Sequence, residues 1–290
     1  MAITRRYNTV HNAWIRQFHD PGADGPTVVC FPHAGGSASA HLPLSAELSA
    51  AAEVLIVQYP GRQDRLAEPA LDDLRQLADH AAHALRPWRN RPLALFGHSM
   101  GALLAYEVAL RLERRGGRPL AGLIVSGRAA PSVPFGRRVH TMDDEHFTGH
   151  LAGLGGTPPE LLADKDLLAM ALPSLRADYK AVETYQDHAG CRVECPISGY
   201  CGKQDTGVPR EGFGKWAAYT TGRHSVRLFD GGHFYLQSQT REVARAILQD
   251  LSSPTAPDTA EHEERPTASP ADPALAQEPA PLLHLPLPHP

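Results

Sequence analysis

Short apolar runs rich in β-branched residues alternate with longer segments of helical period along most of the chain. The runs lack polar alternation, which is typical of strands buried on both faces of a parallel sheet. They predict strands at Thr27–Phe31, Val54–Gln58, Leu93–Gly97, Leu123–Ser126, Ile197–Cys201 and Val226–Phe229. The helical periods predict amphipathic helices at Leu71–Leu85, Met100–Leu112 and Arg241–Leu251. This alternation indicates an α/β domain with a mostly parallel central sheet and helices on both faces.

Two segments depart from the alternation. Residues 140–186 are helix-like, but glycines and prolines, among them Pro173, are expected to interrupt them. An insertion over the ligand-binding edge of a parallel sheet is expected to act as a lid, although it could instead pack on the flank of the domain. Residues 252–290 hold ten of the chain's 26 prolines. We therefore expect one domain over residues 1–251, with a lid at about 140–186, and a disordered tail at 252–290, whose apolar end could alternatively be a docking peptide.

Composition narrows the class of protein. The chain has 290 residues, of which 42% are hydrophobic and 21% are charged, as in an ordinary soluble domain. A net charge of -4 gives no indication of the excess of positive charge that nucleic-acid binding normally requires. No apolar run suits a signal peptide or a membrane span, so we expect a cytoplasmic protein without membrane or nucleic-acid partners, and we expect it to be a monomer.

The strongest chemical motif is the pentapeptide Gly97–Gly101, which matches G-x-S-x-G. It follows a predicted buried strand and precedes a predicted amphipathic helix. A sharp turn between the two would lift the Ser99 hydroxyl above the sheet, and side chains at Gly97 and Gly101 would collide there. The motif therefore predicts Ser99 as a nucleophile.

A serine hydroxyl needs a general base, and the base needs a carboxylate to orient it. In folds with this turn, the acid and then the histidine follow the serine in the chain. His233 lies in a glycine-rich loop between the last predicted strand and the last helix, and Asp205 follows the strand that ends at Cys201. These positions predict a Ser99–His233–Asp205 triad. Asp230, only three residues from His233, is the weaker alternative and is expected to cap its turn, and Asp178 and Asp187 fall in the presumed insertion.

Hydrolysis through an acyl-enzyme also needs two N–H donors for the oxyanion. The first should be the backbone N–H of Met100, the residue after the nucleophile. The second should come from the loop Phe31–Ser37, which follows the first predicted strand, and Ala34 is the expected donor. None of these steps requires a cofactor, and the four cysteines do not show zinc-type spacing, so neither a metal nor a cofactor is expected.

Four motifs together resemble the type II thioesterases, discrete proteins that accompany modular polyketide and nonribosomal peptide synthases. They are Phe31–Ala38, Gln58–Arg62, Gly97–Ala102 and Gly231–Leu236. The resemblance runs from about residue 15 to 250 and implies an α/β-hydrolase fold. It also implies hydrolysis of acyl groups stalled on the phosphopantetheine arm of acyl or peptidyl carrier proteins, which would be the partners. The triad positions match this family, Leu154–Pro158 looks like part of its lid, and the proline-rich tail has no counterpart in it.

Other functions share the same residues. A general carboxylesterase or lipase would differ only in leaving group and acyl pocket, because ester and thioester hydrolysis pass through the same oxyanion. An acyltransferase or cyclase would replace water by an amine or hydroxyl. The apolar residues of the insertion could shape an acyl pocket or could merely form its core; they are Met142, Phe147, Leu151, Leu154 and Met170.

Overall fold

The computed structural model describes residues 12–22, 25–136, 138–156, 159–187, 190–208 and 210–252. The strands are β1 (Ile15–Arg16), β2 (Thr27–Phe31), β3 (Glu53–Val57), β4 (Leu93–His98), β5 (Gly122–Ser126), β6 (Ile197–Gly202) and β7 (His224–Phe229). The α-helices are α1 (Leu42–Leu48), α2 (Leu74–Ala84), α3 (Met100–Arg114), α4 (Asp144–Leu154), α5 (Pro159–Ala163), α6 (Lys165–Glu183), α7 (Arg210–Gly214) and α8 (Thr240–Ser252). Short 3₁₀ helices lie at Ala38–His41, Gln63–Arg65, Arg86–Trp88, Val139–Thr141, Lys215–Tyr219 and Tyr235–Gln237.

The seven strands form one sheet in the order β1-β3-β2-β4-β5-β6-β7. All neighbours are parallel except β1, which pairs antiparallel with β3. Strand β4 lies between β2 and β5, with Gly97 opposite Phe31 on one side and Val125 on the other. The predicted mostly parallel α/β sheet is confirmed, and the loop after β4 lies near the middle of its carboxyl edge.

The apolar strands contribute side chains to two hydrophobic cores, one on each face of the sheet. Every residue of β2 is buried; Val29 and Phe31 face one core, and Val28 and Cys30 face the other. Helices α2 and α3 cover the first core, and α1 and α8 cover the second. This arrangement explains why these strands show no polar alternation, since both of their faces lie against helices.

Three predictions about single elements were wrong: where one helix begins, whether a proline interrupts another, and whether the last strand is buried. The helix predicted from Leu71 begins at Leu74, because Asp73 caps its first turn. The Asp73 carboxylate accepts hydrogen bonds from the backbone N–H groups of Arg75 and Gln76. Pro173 does not interrupt its segment but lies inside the continuous helix α6. Strand β7 forms an edge of the sheet and is not buried throughout, because Val226 is 45% exposed.

The inserted segment between β5 and β6 contains α4, α5 and α6. It has its own apolar cluster, in which Phe147 and Leu151 of α4 pack against Leu175 and Tyr179 of α6. Met170 and Met142 are instead exposed. Residues 157–158 of the expected lid motif and residues 253–290 of the expected tail lie outside the described residues.

Candidate active site

Ser99 occupies the turn between β4 and α3. Its backbone has φ +55° and ψ -115°, a left-handed φ that is strained for a residue with a side chain. The Ser99 N–H donates to the Ser126 carbonyl at the end of β5, 2.8 Å away. The hydrogen bond and the flanking elements hold the strained turn, which presents the hydroxyl at the carboxyl edge of the sheet.

Two glycines make this turn possible. A Cβ added at Gly97 would lie 2.0 Å from the Gly101 carbonyl oxygen, and a Cβ at Gly101 would lie 2.0 Å from the Phe31 carbonyl oxygen. Real atoms do not approach so closely, so the strand, the turn and the helix would have to separate. The collision expected from the sequence at both positions is therefore present.

We expect Gly101→Ala to lower the free energy of unfolding by about 3 kcal/mol, the upper part of the range for an overpacked core, because the obstructing atom is rigid backbone. Urea denaturation measures this change. Gly149→Ala in α4 is the matched control, because a Cβ at Gly149 meets nothing within 4 Å. The control should be neutral or slightly more stable, since alanine favours helix over glycine. Equal stability of the two variants would contradict the close packing at Gly101.

His233 lies between Ser99 and Asp205. Its Nε2 is 3.1 Å from the Ser99 hydroxyl oxygen, and its Nδ1 is 2.8 Å from Asp205 Oδ2. The Asp205 side chain is 1% exposed and that of His233 15% exposed. The structure thus joins the three residues predicted from the sequence into one chain of hydrogen bonds. Asp230 lies outside it and accepts from Lys203 Nζ at 2.7 Å in an exposed ion pair.

The loops that carry Asp205 and His233 are held together. The Gln204 side-chain oxygen accepts from the Gly231 N–H at 2.6 Å, and the Gln204 N–H donates to the Gly231 carbonyl at 3.0 Å. The Asp205 Oδ1 accepts from the Gly207 N–H at 3.0 Å, so its other oxygen faces the imidazole. These bonds fix the direction of the carboxylate.

His98 lies next to the imidazole of His233. Its ring is 1% exposed, its centroid is 5.1 Å from that of His233, and its Nδ1 is 2.9 Å from the Ser126 hydroxyl. Burial and the neighbouring His233 hold the pKa of His98 well below its usual range. His98 therefore stays neutral and places no fixed positive charge next to His233.

The expected oxyanion donors border the same space as the nucleophile. Ala34 and Met100 line one cavity together with Ser99. Met100 is the first residue of α3, so its N–H has no carbonyl partner within the helix. The Ala34 N–H has no acceptor among the residues that the structure describes, whereas the next N–H, that of Gly35, donates to Asp178 Oδ2 at 2.7 Å.

Asp178 is a supporting residue that the sequence had not singled out. Both of its oxygens accept from Arg62, at 2.7 and 2.9 Å, and its side chain is completely buried. Through the Gly35 N–H it ties helix α6 to the loop that carries Ala34. One signal could have suggested it: Asp178 shares the apolar stripe of α6 with Leu175 and Tyr179, where a carboxylate needs a buried partner.

We expect Asp178→Ala to lower the free energy of unfolding by about 3–5 kcal/mol, because it leaves the Arg62 guanidinium buried without its partner. Chemical denaturation at neutral pH measures the loss. Asp72→Ala is the control, since the ion pair between Asp72 and Lys180 of α6 is half-exposed and should contribute at most about 1 kcal/mol. Similar losses for the two variants would show that the buried pair does not hold the loop to α6.

Buried histidines also predict a pH dependence of stability. Burial lowers the pKa of His41 to about 4 and, together with neighbouring positive groups, that of His33 to about 3. Unfolding restores values of about 6.5, so the unfolded chain binds more protons between these limits. The contribution of these two histidines to the unfolding free energy is therefore fully present above about pH 6.5 and decreases as the pH falls toward 4.

We expect His41→Leu to reduce the slope of the unfolding free energy against pH by up to about 1.4 kcal/mol per pH unit between pH 6 and 5, because the variant takes up one proton fewer on unfolding. Urea titrations of both proteins at several pH values give the two slopes, and carboxylates contribute equally to each. An identical slope in the variant would mean that His41 is already protonated in the folded protein.

The cavity above Ser99 has a volume of about 800 Å³. Its floor includes the triad, and its far wall is formed by the inserted segment, with Leu154 of α4 and Tyr179 of α6. Phe147 and Leu151 belong instead to the core of the insertion. Thus only part of the apolar set expected from the sequence borders the cavity. A Cβ at Gly156 would lie 2.0 Å from the ring of Phe234, so the segment after α4 packs beside the His233 loop.

Within the described ranges, no group of three His, Cys, Asp or Glu side chains could hold a metal ion. Among the same residues, no helix is both long enough and apolar enough to cross a membrane.

The chain is similar to known proteins over most of its length. The Thioesterase domain family matches residues 26–251. Thioesterase PikA5 of Streptomyces venezuelae is 44% identical over 248 residues, which are 85% of this chain and 88% of that protein. The solved structure of the type II thioesterase BorB from the borrelidin biosynthetic cluster has a TM-score of 0.76 and 42% identity over 82% of this chain and 98% of its own. YbtT, a type II thioesterase from the yersiniabactin NRPS/PKS pathway, has a TM-score of 0.75 and 31% identity over 82% and 98%.

Proposed function

The chain belongs to the thioesterase family and has the α/β-hydrolase fold, and we propose that it hydrolyses acyl groups from the phosphopantetheine arm of carrier proteins in polyketide or nonribosomal peptide biosynthesis. The observation that carries this proposal is the hydrogen-bonded series Ser99–His233–Asp205 at the floor of a cavity of about 800 Å³. Its cellular role would be to remove stalled or aberrant acyl units and restore a free thiol.

Acylation begins at Ser99. His233 Nε2, 3.1 Å from the hydroxyl oxygen, accepts the proton as that oxygen attacks the thioester carbonyl carbon. Asp205, 2.8 Å from Nδ1, keeps the ring proton on that nitrogen and stabilises the imidazolium that forms.

The carbonyl oxygen becomes negatively charged in the tetrahedral intermediate. The N–H groups of Met100 and Ala34 are the donors we propose for it, and each such donor is worth on the order of 3 kcal/mol in comparable sites. The start of α3 at Met100 adds a favourable dipole. The Asp178–Gly35 hydrogen bond acts indirectly, by holding the loop in which Ala34 lies.

The carbon–sulfur bond then breaks. The imidazolium of His233 returns its proton to the pantetheine sulfur, which leaves as the thiol, and the acyl group remains on Ser99. Water enters, His233 takes one of its protons, and the hydroxide attacks the acyl carbonyl. Collapse of the second intermediate returns the proton to Ser99 and releases the carboxylic acid, so that the enzyme is unchanged.

We further propose that the inserted segment is a lid over this site. Its helices form one wall of the cavity, and Gly156 packs on Phe234, the residue after His233. Opening the segment would admit the arm, and closing it would exclude bulk water until the thiol has left.

The test compares hydrolysis of the same acyl group from two substrates. One is the acyl thioester on the phosphopantetheine arm of an acyl carrier protein, and the other is a simple oxygen ester. We expect faster release from the carrier protein, with free acid and free thiol as products by mass spectrometry, and no release by Ser99→Ala. A strong preference for the ester would instead indicate a carboxylesterase. A conjugate with an added amine or alcohol in place of the free acid would indicate an acyltransferase.

A further inference from the structure

Ser126 is a buried residue at the carboxyl end of β5, beside the turn that carries Ser99. Its carbonyl oxygen accepts from the Ser99 N–H at 2.8 Å. Its hydroxyl oxygen lies 2.6 Å from the Tyr235 hydroxyl oxygen and 2.9 Å from His98 Nδ1. Ser126 thus contacts the turn of Ser99 through its backbone and the loop of His233 through its side chain.

Tyr235 holds the loop of His233 against the sheet. Of residues 231–236, only His233 and Tyr235 have side chains that can form hydrogen bonds. His233 uses both of its ring nitrogens within the triad. The Tyr235 ring is 1% exposed and stacks on Phe229 at the end of β7, with the ring centroids 5.1 Å apart. The hydrogen bond to Ser126 is therefore the one that a side chain of this loop makes outside the triad.

The space between Ser126 and His233 is closely packed. The His98 ring lies there, bonded to the Ser126 hydroxyl and with its centroid 5.1 Å from that of His233. A Cβ added at Gly127 would lie 2.6 Å from His98 Cε1 and 3.4 Å from His233 Cε1. In such a packed interior, a displacement of one group moves its neighbours. A shift of Tyr235 or Ser126 would therefore reach the His233 imidazole.

Buried hydroxyl groups need partners in any fold, so the bond could serve stability alone. Tyr200 shows what that purely structural case looks like. It is as buried as Tyr235, and its hydroxyl donates to Asp250 Oδ2 at 2.7 Å, which joins β6 to α8. The Tyr200 side chain has no hydrogen bond to the triad or to Ser126 among the residues that the structure describes. Only the Tyr235 bond links the two loops whose side chains must meet.

We propose that Ser126 and Tyr235 are positioning residues: their hydrogen bond sets the distance at which His233 Nε2 meets the Ser99 hydroxyl. This rests on the proposed function only through the Ser99–His233 contact. Neither residue touches a reacting atom. Proton transfer needs the two heavy atoms within hydrogen-bond reach, and a misplacement of about 1 Å can lower a rate by about 100-fold. Loss of the bond should therefore slow the reaction of Ser99 in a folded protein.

The test follows the rate at which a fluorophosphonate bonds to Ser99 in the full-length protein, because this reaction needs an activated serine but no thioester. Tyr235→Phe keeps the ring and removes only the hydroxyl, and we expect it to lower the rate constant by about 10- to 100-fold. Tyr200→Phe is the matched control, since it removes an equally buried hydroxyl and should leave the rate within about twofold. Thermal melts check that each variant folds.

A double variant tests whether the two hydroxyl groups act together. Ser126→Ala should lower the rate constant by a factor similar to that of Tyr235→Phe. The variant with both changes should be no slower than the slower single variant, because either change already breaks the same bond. The pH at which the rate is half-maximal should stay the same in all variants, since a change of distance lowers only the plateau.

Three results would overturn the proposal. Equal rates in folded Tyr235→Phe and Tyr200→Phe would leave the Tyr235 hydroxyl a structural role only. Losses that multiply in the double variant would show that the two hydroxyls act independently. A shifted pH profile with an unchanged plateau would show that they act on the protonation of His233 instead of its position. A preference for oxygen esters would refute the proposed substrate but not these rates, so the two failures are distinguishable.

Discussion

Replacing Ser99 by alanine is expected to lower turnover of an acyl thioester by about 10⁴- to 10⁶-fold, as in serine hydrolases whose nucleophile is removed. The Ser99 hydroxyl oxygen lies 3.1 Å from His233 Nε2. Alanine leaves nothing for the imidazole to deprotonate and no oxygen to carry the acyl group. Single-turnover assays with a loaded carrier protein measure the loss.

The fold should survive this change, because the strained turn depends on Gly97 and Gly101 and on the Ser99 backbone rather than on its hydroxyl. Circular dichroism and a thermal melt provide that check. A folded Ser99→Ala protein that keeps activity within about tenfold of the original would exclude Ser99 as the nucleophile, since only water-mediated background should remain.

Asp205→Asn is expected to lower kcat by about 10⁴-fold, the loss measured for the corresponding change in trypsin-like enzymes. An amide in place of the carboxylate can donate to His233 Nδ1, which moves the ring proton to Nε2. The imidazole then cannot accept the proton of Ser99. Because the substitution changes one atom of a buried side chain, substrate binding should change far less than kcat.

Asp230→Asn is the control for this prediction. Asp230 is also near His233 in the sequence, but its carboxylate pairs with Lys203 in solvent, and its loss should leave kcat within about twofold. If Asp230→Asn reduced kcat more than Asp205→Asn did, the acid of the triad would have been assigned to the wrong strand end.

The parts of the fold that could be predicted are those where one physical cause acts alone. Buried parallel strands such as β2 and β4 need apolar residues on both faces, and this leaves an unmistakable run. Strand β1 has only two residues and exists through its pairing with β3, so no local pattern marks it. Helix α1 has seven residues and contains a proline near its start, which conceals its period.

The candidate site also contains some residues that the sequence marks and others that it does not. Ser99 and His233 follow strand ends, where chain order and glycines mark them in the sequence. The Arg62–Asp178 pair joins positions 116 residues apart, so the apolar stripe of α6 could show that Asp178 needs a partner but could not identify Arg62 as that partner.

The most direct measurement is the site at which a fluorophosphonate attaches to the protein, since this probe bonds irreversibly to an activated serine. Peptide mapping by mass spectrometry should find one adduct, on the peptide that contains Ser99, and its formation should slow strongly in His233→Ala. An adduct on another residue, or one on Ser99 that forms equally fast without His233, would contradict a nucleophile activated by that imidazole.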